Sequence, residues 1–157
     1  MDLLKLFEPV VIEAVKWVTD QEQIVLREGR KLTSDQLIDA WQAGVHSPDR
    51  IRLAVRPCIP APDKGVLGLL NARLSLITPN TGGLTLQYGI FVRDDCLENR
   101  RLLTHEFAHV AQYERLGGIE GFLRVYVREC IEFGYKGSPL EIEAELIAQK
   151  IVGDQER

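Results

Sequence analysis

The residues His105-Glu106-Phe107-Ala108-His109 constrain this 157-residue chain more than any other stretch. The segment around them contains no glycine or proline, and its apolar residues recur at helical spacing, which predicts an α-helix. On a helix each residue turns about 100°, so His105 and His109 lie one turn apart on the same face. Two imidazoles in that arrangement can both bind one Zn²⁺, at about 2.0–2.1 Å each. Glu106 lies beside that face, from where it can polarise a metal-bound water, so the sequence predicts a zinc hydrolase with Glu106 as general base.

A catalytic zinc needs a third protein ligand, and the last predicted helix carries the best candidate. Glu141 and Glu145 share one face of that helix with small or apolar neighbours. A carboxylate on such a face must be protonated, paired or metal-bound. We therefore expect Glu141 to be the third ligand of one Zn²⁺ per chain, and Glu145 to accept a hydrogen bond from a histidine ring.

Other interpretations of these residues stay open at this point. Glu143 is the alternative third ligand on the same helix, and His46, in a turn before the first strand, is a less favoured one. The three glutamates could also form an ordinary solvated face, since acidic residues in a first helical turn suit the helix dipole. Equally, the two histidines of the motif could be partly buried polar residues without a ligand.

Two tyrosines are candidates for contacts with a substrate. Tyr113 lies on the motif helix close to Glu106, and Tyr135 precedes Glu141 by six residues. Either hydroxyl could donate a hydrogen bond to a tetrahedral oxyanion, although buried tyrosines more often serve in packing.

The motif and the later acidic helix together resemble the gluzincin zinc metallopeptidases. His105-Glu106-Phe107-Ala108-His109 followed by Glu141-x-x-Ala144-Glu145 is similar to the gluzincin pairing of a His-Glu-x-x-His helix with a glutamate helix, as in small bacterial zincin-like proteins. The resemblance implies the ligand set and general base named above. It also implies an edge strand over residues 84–92 that pairs with an extended substrate. Position 145 is Glu where many gluzincins have Asp, and the resemblance covers only about residues 85–148.

The pattern of apolar residues predicts an α+β fold, mostly helical and zincin-like, in a single domain of residues 1–157. Residues 1–80 form its mostly helical part and residues 84–152 the part with the metal site. Helices are predicted over residues 9–26, 33–44, 63–76, 120–133 and 140–152, besides the motif helix, and strands over 51–55 and 84–93. Asp94-Asp95 is expected to cap the motif helix, and Trp17 and Trp41 are expected in the core. Thr33 with Gln36 three residues later predicts a capping box at the second helix, and Ser138 as cap with Pro139 in the first turn predicts the start of the last helix.

Composition narrows the cellular setting. The net charge of −4 and a pI near 5.4 argue against nucleic acid as a partner. No apolar run is long enough for a membrane span, and Lys5, Glu8 and Glu13 interrupt the N-terminal apolar pattern, so neither a membrane nor a signal peptide is expected. Three widely spaced cysteines indicate reduced, partly buried thiols in a cytoplasmic protein.

The sequence thus favours a zinc metallopeptidase that acts on a peptide or protein substrate. The first alternative is a zincin-like domain that binds metal or a protein partner but has no catalytic activity, because a small domain leaves little material for substrate subsites. A second alternative is an interaction module in which residues 3–18 pack against another chain. The oligomeric state, the substrate and the physiological metal do not follow from the sequence.

Overall fold

The computed structural model describes residues 2–153, which contain six α-helices, four short β-strands and three short 3₁₀ turns. The helices are α1 (Phe7–Glu28), α2 (Ser34–Gln42), α3 (Gly65–Leu74), α4 (Arg100–Arg115), α5 (Ile119–Phe133) and α6 (Pro139–Val152). The strands are β1 (Arg30–Lys31), β2 (Arg52–Arg56), β3 (Gly83–Leu86) and β4 (Gly89–Arg93). The α+β class is therefore as predicted. Met1 and residues 154–157, the two ends of the predicted domain, lie outside the described residues.

The four strands form one mixed sheet in the order β1-β2-β4-β3. β2 and β4 are parallel, whereas β1 and β3 run antiparallel to their neighbours. β1 was not predicted, because a strand of two residues carries no readable periodicity. β3 is an edge strand of this sheet and lies against α4, so the sheet edge reaches the motif helix.

The single strand predicted over residues 84–93 is wrong, because the chain reverses direction at Gln87 and Tyr88 to form the β3–β4 hairpin. The apolar alternation continues through the turn, and no glycine pair marks it. Gln87 adopts a φ of 66°, in the left-handed region that non-glycine residues seldom occupy. The buried carboxylate of Glu22 in α1 accepts hydrogen bonds from Gln87 Nε2 at 3.2 Å and from Tyr88 N at 2.9 Å. A distant helix thus stabilises the turn.

Apolar residues cover both faces of the sheet. Ala54 and Phe91 belong to a cluster with residues of α1, α3 and α5. Leu53 and Ile90, their neighbours in the two strands, belong to a second cluster with residues of α2, α4 and α6. Because successive strand residues point to opposite faces, the sheet lies between these two groups of helices.

The start of α4 corrects one predicted cap. Asp94 and Asp95 lie in a short 3₁₀ turn, Asp94–Cys96, and do not cap the helix. Asn99 is the N-cap, and its Oδ1 accepts a hydrogen bond from Leu102 N at 3.0 Å. The capping box predicted for α2 is confirmed, since Gln36 N donates to Thr33 Oγ1 at 3.2 Å and Thr33 N donates to Gln36 Oε1 at 2.9 Å.

The prediction that Trp41 is a core residue is wrong. Its side chain lies on α2 and keeps 69% of its surface exposed, and Ile38 on the same helix keeps 54%. Helical spacing places both residues on an apolar stripe, but α2 is covered on one side only, where fully buried Ala40 packs near α4. Trp17 in α1 is partly buried against the first cluster.

None of the helices in residues 2–153 is both long and apolar enough to cross a membrane. The three cysteines are free thiols; Cys96 and Cys130 are buried, as expected, whereas Cys58 is exposed.

Candidate metal centre

His105 and His109 occupy successive turns of α4 and direct their rings at one point. The two rings are nearly perpendicular, with centroids 4.8 Å apart. His105 Nε2 and His109 Nε2 are separated by only 3.1 Å. His109 is buried and His105 is partly exposed, so the pair lies at the boundary between the interior and the surface.

Glu141 reaches the same point from the first turn of α6. Its Oε1 lies 3.1 Å from His105 Nε2, and its Oε2 lies 2.9 Å from His109 Nε2. Ser138 caps α6 through a hydrogen bond from Glu141 N, and Pro139 occupies the first helical position. The side chain of Glu129 in α5 accepts hydrogen bonds from Ser138 Oγ and Leu140 N, both at 2.8 Å, which attaches the start of α6 to α5.

The spacing of these three donors suits a small divalent ion. Two ligands at about 2.0–2.1 Å from a tetrahedral metal are about 3.4 Å apart. The observed separations of 2.9–3.1 Å among His105, His109 and Glu141 are close to that value. Two imidazole nitrogens and one carboxylate, with a further position for water, are also a common catalytic zinc set. His105, His109 and Glu141 could therefore hold a metal ion.

The remaining nitrogen of each histidine has its own acceptor, which fixes the ring orientation. His109 Nδ1 lies 2.7 Å from Gln112 Oε1, and His105 Nδ1 lies 3.1 Å from Glu145 Oε2. Arg101 holds the other oxygen of Glu145, with its Nε at 2.9 Å. A proton on each Nδ1 satisfies both contacts and leaves each Nε2 lone pair directed at the shared point.

Gln112 is a site residue whose role was not predicted from the sequence. Its side chain is fully buried, and its Nε2 donates to Leu140 O at 2.9 Å and to Glu143 Oε1 at 3.1 Å. These two acceptors orient the amide, so its oxygen must face His109. The available signal was its position three residues after His109, on the same helix face.

Glu143 and His46, the alternative ligands, lie away from the shared point. Glu143 accepts hydrogen bonds from Gln112 and Arg115 instead. His46 is exposed, and its backbone N–H donates to Glu114 Oε1 at 2.8 Å.

Tyr126 is a second contact of the site that sequence spacing did not indicate. Its hydroxyl donates to Glu141 Oε2 at 3.0 Å, and its ring stacks on Phe122 with centroids 5.2 Å apart. Burial and the neighbouring carboxylate of Glu141 raise the pKa of Tyr126 well above its usual value, so the hydroxyl stays protonated and acts as a donor.

The two predicted substrate-binding tyrosines occupy different environments. Tyr113 is buried, and its hydroxyl donates to Thr85 O at 3.2 Å, so this group holds β3 to α4. Tyr135 keeps 37% of its surface exposed and lies at the rim of the site. The pKa of Tyr135 is raised, mainly by partial burial and further by the negative charges of Glu141 and Glu106. Its hydroxyl therefore stays protonated, and a donor, at neutral pH. The predicted role for either tyrosine in contacting an oxyanion stays a prediction.

Glu106 is held beside the histidines by the edge strand. Thr85 Oγ1 donates to Glu106 Oε2 at 2.6 Å and also lies 3.1 Å from Glu106 O. A Cβ at Gly83 would lie 3.0 Å from Glu106 Oε1, so glycine leaves the room that this carboxylate occupies. Glu106 is buried and, in contrast to Glu141, is not a member of the candidate ligand group.

The three candidate ligands, His105, His109 and Glu141 (the ligand group), shift one another's pKa values. Burial alone would lower the pKa of His109, but the carboxylate of Glu141 outweighs burial and raises that pKa to about 9. Burial would also lower the pKa of His105, but its hydrogen bond to the Glu141 carboxylate and the negative charges of Glu106 and Glu141 together outweigh burial and raise that pKa. Burial opposes ionisation of Glu141, yet the two histidines hold its pKa well below the usual range. Without metal the group therefore retains protons at neutral pH, and a bound cation would displace them.

Two depressions meet at Glu106 and Tyr135. A polar surface cleft runs past His105, Arg101 and Glu145. An apolar cavity of about 120 Å³ extends into the interior past His109. A molecule in the cleft can therefore reach Glu106 and the edge of the ligand group.

No protein-family model, no curated protein and no solved structure gave a significant match to this chain. The function is therefore inferred from the geometry of the site.

Proposed function

We propose that this protein is a zinc-dependent hydrolase of peptide or amide bonds. The observation that carries the proposal is the convergence of His105 Nε2, His109 Nε2 and the Glu141 carboxylate within 2.9–3.1 Å of one another, beside the buried carboxylate of Glu106. Three protein ligands with a separate carboxylate next to them are the components of a metal-assisted hydrolytic site.

Zinc is the favoured metal because the donor set and its spacing suit tetrahedral coordination. Two imidazoles and a carboxylate also bind Fe²⁺ or Mn²⁺, but those ions prefer more ligands and a wider arrangement. At this site His105, His109 and Glu141 are the three protein donors among residues 2–153 that lie together. A bound zinc would lower the pKa of a coordinated water and polarise a carbonyl oxygen.

Glu106 is the residue that would move protons. It can accept a proton from water and transfer it to the leaving amine, which needs a carboxylate in a fixed position and within hydrogen-bond reach. Thr85 supplies that fixed position through its 2.6 Å hydrogen bond to Glu106 Oε2. Tyr135, at the rim of the cleft, could donate a hydrogen bond to a substrate oxygen.

An extended substrate would lie in the polar cleft beside β3. This edge strand borders the cleft through Gly83, next to Glu106. An edge strand offers backbone groups for pairing with a peptide. The Thr85 carbonyl already accepts the hydroxyl of Tyr113, so pairing would use the other backbone groups of the strand.

The test separates metal binding from catalysis. Protein purified without chelators should contain about one zinc per chain by plasma mass spectrometry, and should cleave members of a broad peptide library analysed by mass spectrometry. Glu106→Gln should retain zinc and lose turnover, whereas Glu141→Ala should lose zinc. Glu143→Ala is the matched control on α6 and should retain zinc.

Two results would contradict the proposal in different ways. Equal zinc content in Glu141→Ala and wild type would exclude the proposed ligand set. Stoichiometric zinc without cleavage of any peptide or amide would favour the alternative of a metal-binding domain without catalytic activity.

A further inference from the structure

The apolar cavity next to Glu106 is formed mainly by the part of the chain that precedes the motif. Helix α1 contributes Ala14 and Val18, and α3 contributes Leu67 and Leu70. All four residues are buried, with 9% or less of their surface exposed. Helix α5 closes the opposite side with Phe122, Leu123 and Val127. The shape of the cavity beside Glu106 is therefore set by residues that lie outside the His-Glu-x-x-His motif.

The polar side chains along the cavity already have partners. Asn71 exchanges hydrogen bonds with the backbone of Ile77, at 2.8 and 3.2 Å. The hydroxyls of Tyr113 and Tyr126 donate to Thr85 O and to Glu141. No buried side-chain nitrogen or oxygen in residues 2–153 lacks a hydrogen-bond partner. Charged groups and the Tyr135 hydroxyl occur only where the cavity meets the cleft and the three candidate ligands, so the interior of the cavity offers no partner to a charged or polar substituent.

The size of the cavity limits what can enter it. Its volume is about 120 Å³. An apolar protein cavity of about 150 Å³ stays dry and binds benzene. The space beside Glu106 is therefore large enough for one branched aliphatic group or one phenyl ring, and too small for a longer segment of chain.

We propose that this cavity is a specificity pocket that accepts one apolar side chain of the substrate, of the size of leucine or phenylalanine. The proposal rests on the proposed hydrolytic function, because a substrate held at the ligand group would place a neighbouring side chain at the mouth of the cavity. A charged or amide side chain there would lose its hydration without gaining a partner, so such substrates are rejected.

Metal-binding hydroxamates of different size provide the first test. Binding of acetohydroxamate and of 4-methylpentanohydroxamate to the zinc-loaded protein is measured by calorimetry. The larger compound has four more carbon atoms, and each buried methylene strengthens binding about fourfold. Burial of two to four of them should therefore tighten binding by about 16- to 250-fold. Equal affinities of the two hydroxamates would contradict the proposal that the cavity binds an apolar side chain. If neither compound binds, the proposed metal site is contradicted, and the next measurement, which needs no metal, tests the proposed pocket.

A metal-independent measurement uses benzene as the probe. Benzene added to methyl-labelled protein, with or without zinc, should shift the NMR signals of Val18 and Leu70. The methyl signals of Leu53, which lies in the other apolar cluster, are the internal reference and should not move. Unchanged signals for Val18 and Leu70 would overturn the pocket, whatever the outcome with hydroxamates.

Two substitutions of opposite effect test the assignment of the walls. Ala14→Leu fills the cavity and should reduce the advantage of the larger hydroxamate to about threefold or less. Leu70→Ala enlarges it and should shift the preference toward a naphthyl-bearing hydroxamate. Leu53→Ala is the matched control, since it removes the same atoms from a buried position outside the cavity and should leave the preference unchanged. A parallel change of preference in Leu53→Ala would contradict the assignment.

Discussion

Replacement of Gln112 by methionine should weaken zinc binding although Gln112 is not a ligand. The fully buried amide accepts from His109 Nδ1 at 2.7 Å and donates to the carbonyl oxygen of Leu140 at 2.9 Å. Methionine has nearly the same length and no hydrogen-bonding amide, so the ring of His109 loses the acceptor that orients it. Loss of such a partner costs about 10- to 100-fold in metal affinity.

The same change has a calculable effect on stability. In zinc-free protein, Gln112→Met leaves the Nδ1 group of His109 buried without a partner, which should lower the free energy of unfolding by about 1–3 kcal/mol. A zinc ion bound as proposed would stabilise the folded state according to its affinity. A 10- to 100-fold weaker affinity therefore reduces the additional stabilisation at saturating zinc by about 1.4–2.7 kcal/mol.

Chemical denaturation with and without zinc, together with competition against a chelator, measures both effects. Asn99→Ala is a suitable control, because it removes the N-cap of α4 and should cost about 1 kcal/mol with no change in zinc affinity. If Gln112→Met lost stability but kept a zinc affinity within twofold of wild type, Gln112 would be a packing residue only, and our account of the orientation of His109 would be refuted.

Four further predictions concern other features of the site. Thr85→Val removes the donor to Glu106 Oε2 and should lower turnover about 10- to 100-fold on any peptide that the wild type cleaves, at unchanged zinc content; a normal turnover would exclude Thr85 as the residue that positions Glu106. Tyr126→Phe removes the hydroxyl that donates to Glu141 and should weaken zinc binding about tenfold in chelator competition, with an unchanged circular dichroism spectrum. A zinc ion bound as proposed would have to displace the proton of His109, whose pKa is about 9, so apparent zinc affinity should fall at least about tenfold for each pH unit below 9. Because that pKa lies above its unfolded value of about 6.5, zinc-free protein should lose stability as the pH rises from 6.5 through 9, and a flat profile in denaturant titrations would contradict this.

Local patterns were sufficient wherever one segment determines its own conformation. The spacing of His105 and His109 places them on one helix face, and Thr33 with Gln36 forms the predicted capping box. Ser138 and Pro139 start α6 as predicted, which brings Glu141 into its first turn. These features depend on residues three or four positions apart, whose interactions follow from helix geometry alone.

Contacts between distant segments were decided only by the tertiary structure. Trp41 is exposed because other elements cover only the opposite side of α2. The spacing of the apolar residues in α2 does not indicate which side of the helix is covered. The turn at Gln87 depends on Glu22, 65 residues earlier in the chain. Likewise, the hydroxyl of Tyr126 meets Glu141 because α5 packs beside α6, and no spacing in the sequence indicates that contact.

The sequence by itself therefore determined the motif helix, the glutamate helix and the α+β class, because each is encoded by residues close together along the chain. The tertiary structure decided that His105, His109 and Glu141 meet within 3.1 Å, that Gln112 and Thr85 orient His109 and Glu106, and that α1 and α3 form an apolar cavity beside them. The physical reason is that burial and hydrogen-bond partners are properties of how the elements pack, and packing joins residues that helical or strand periodicity cannot relate.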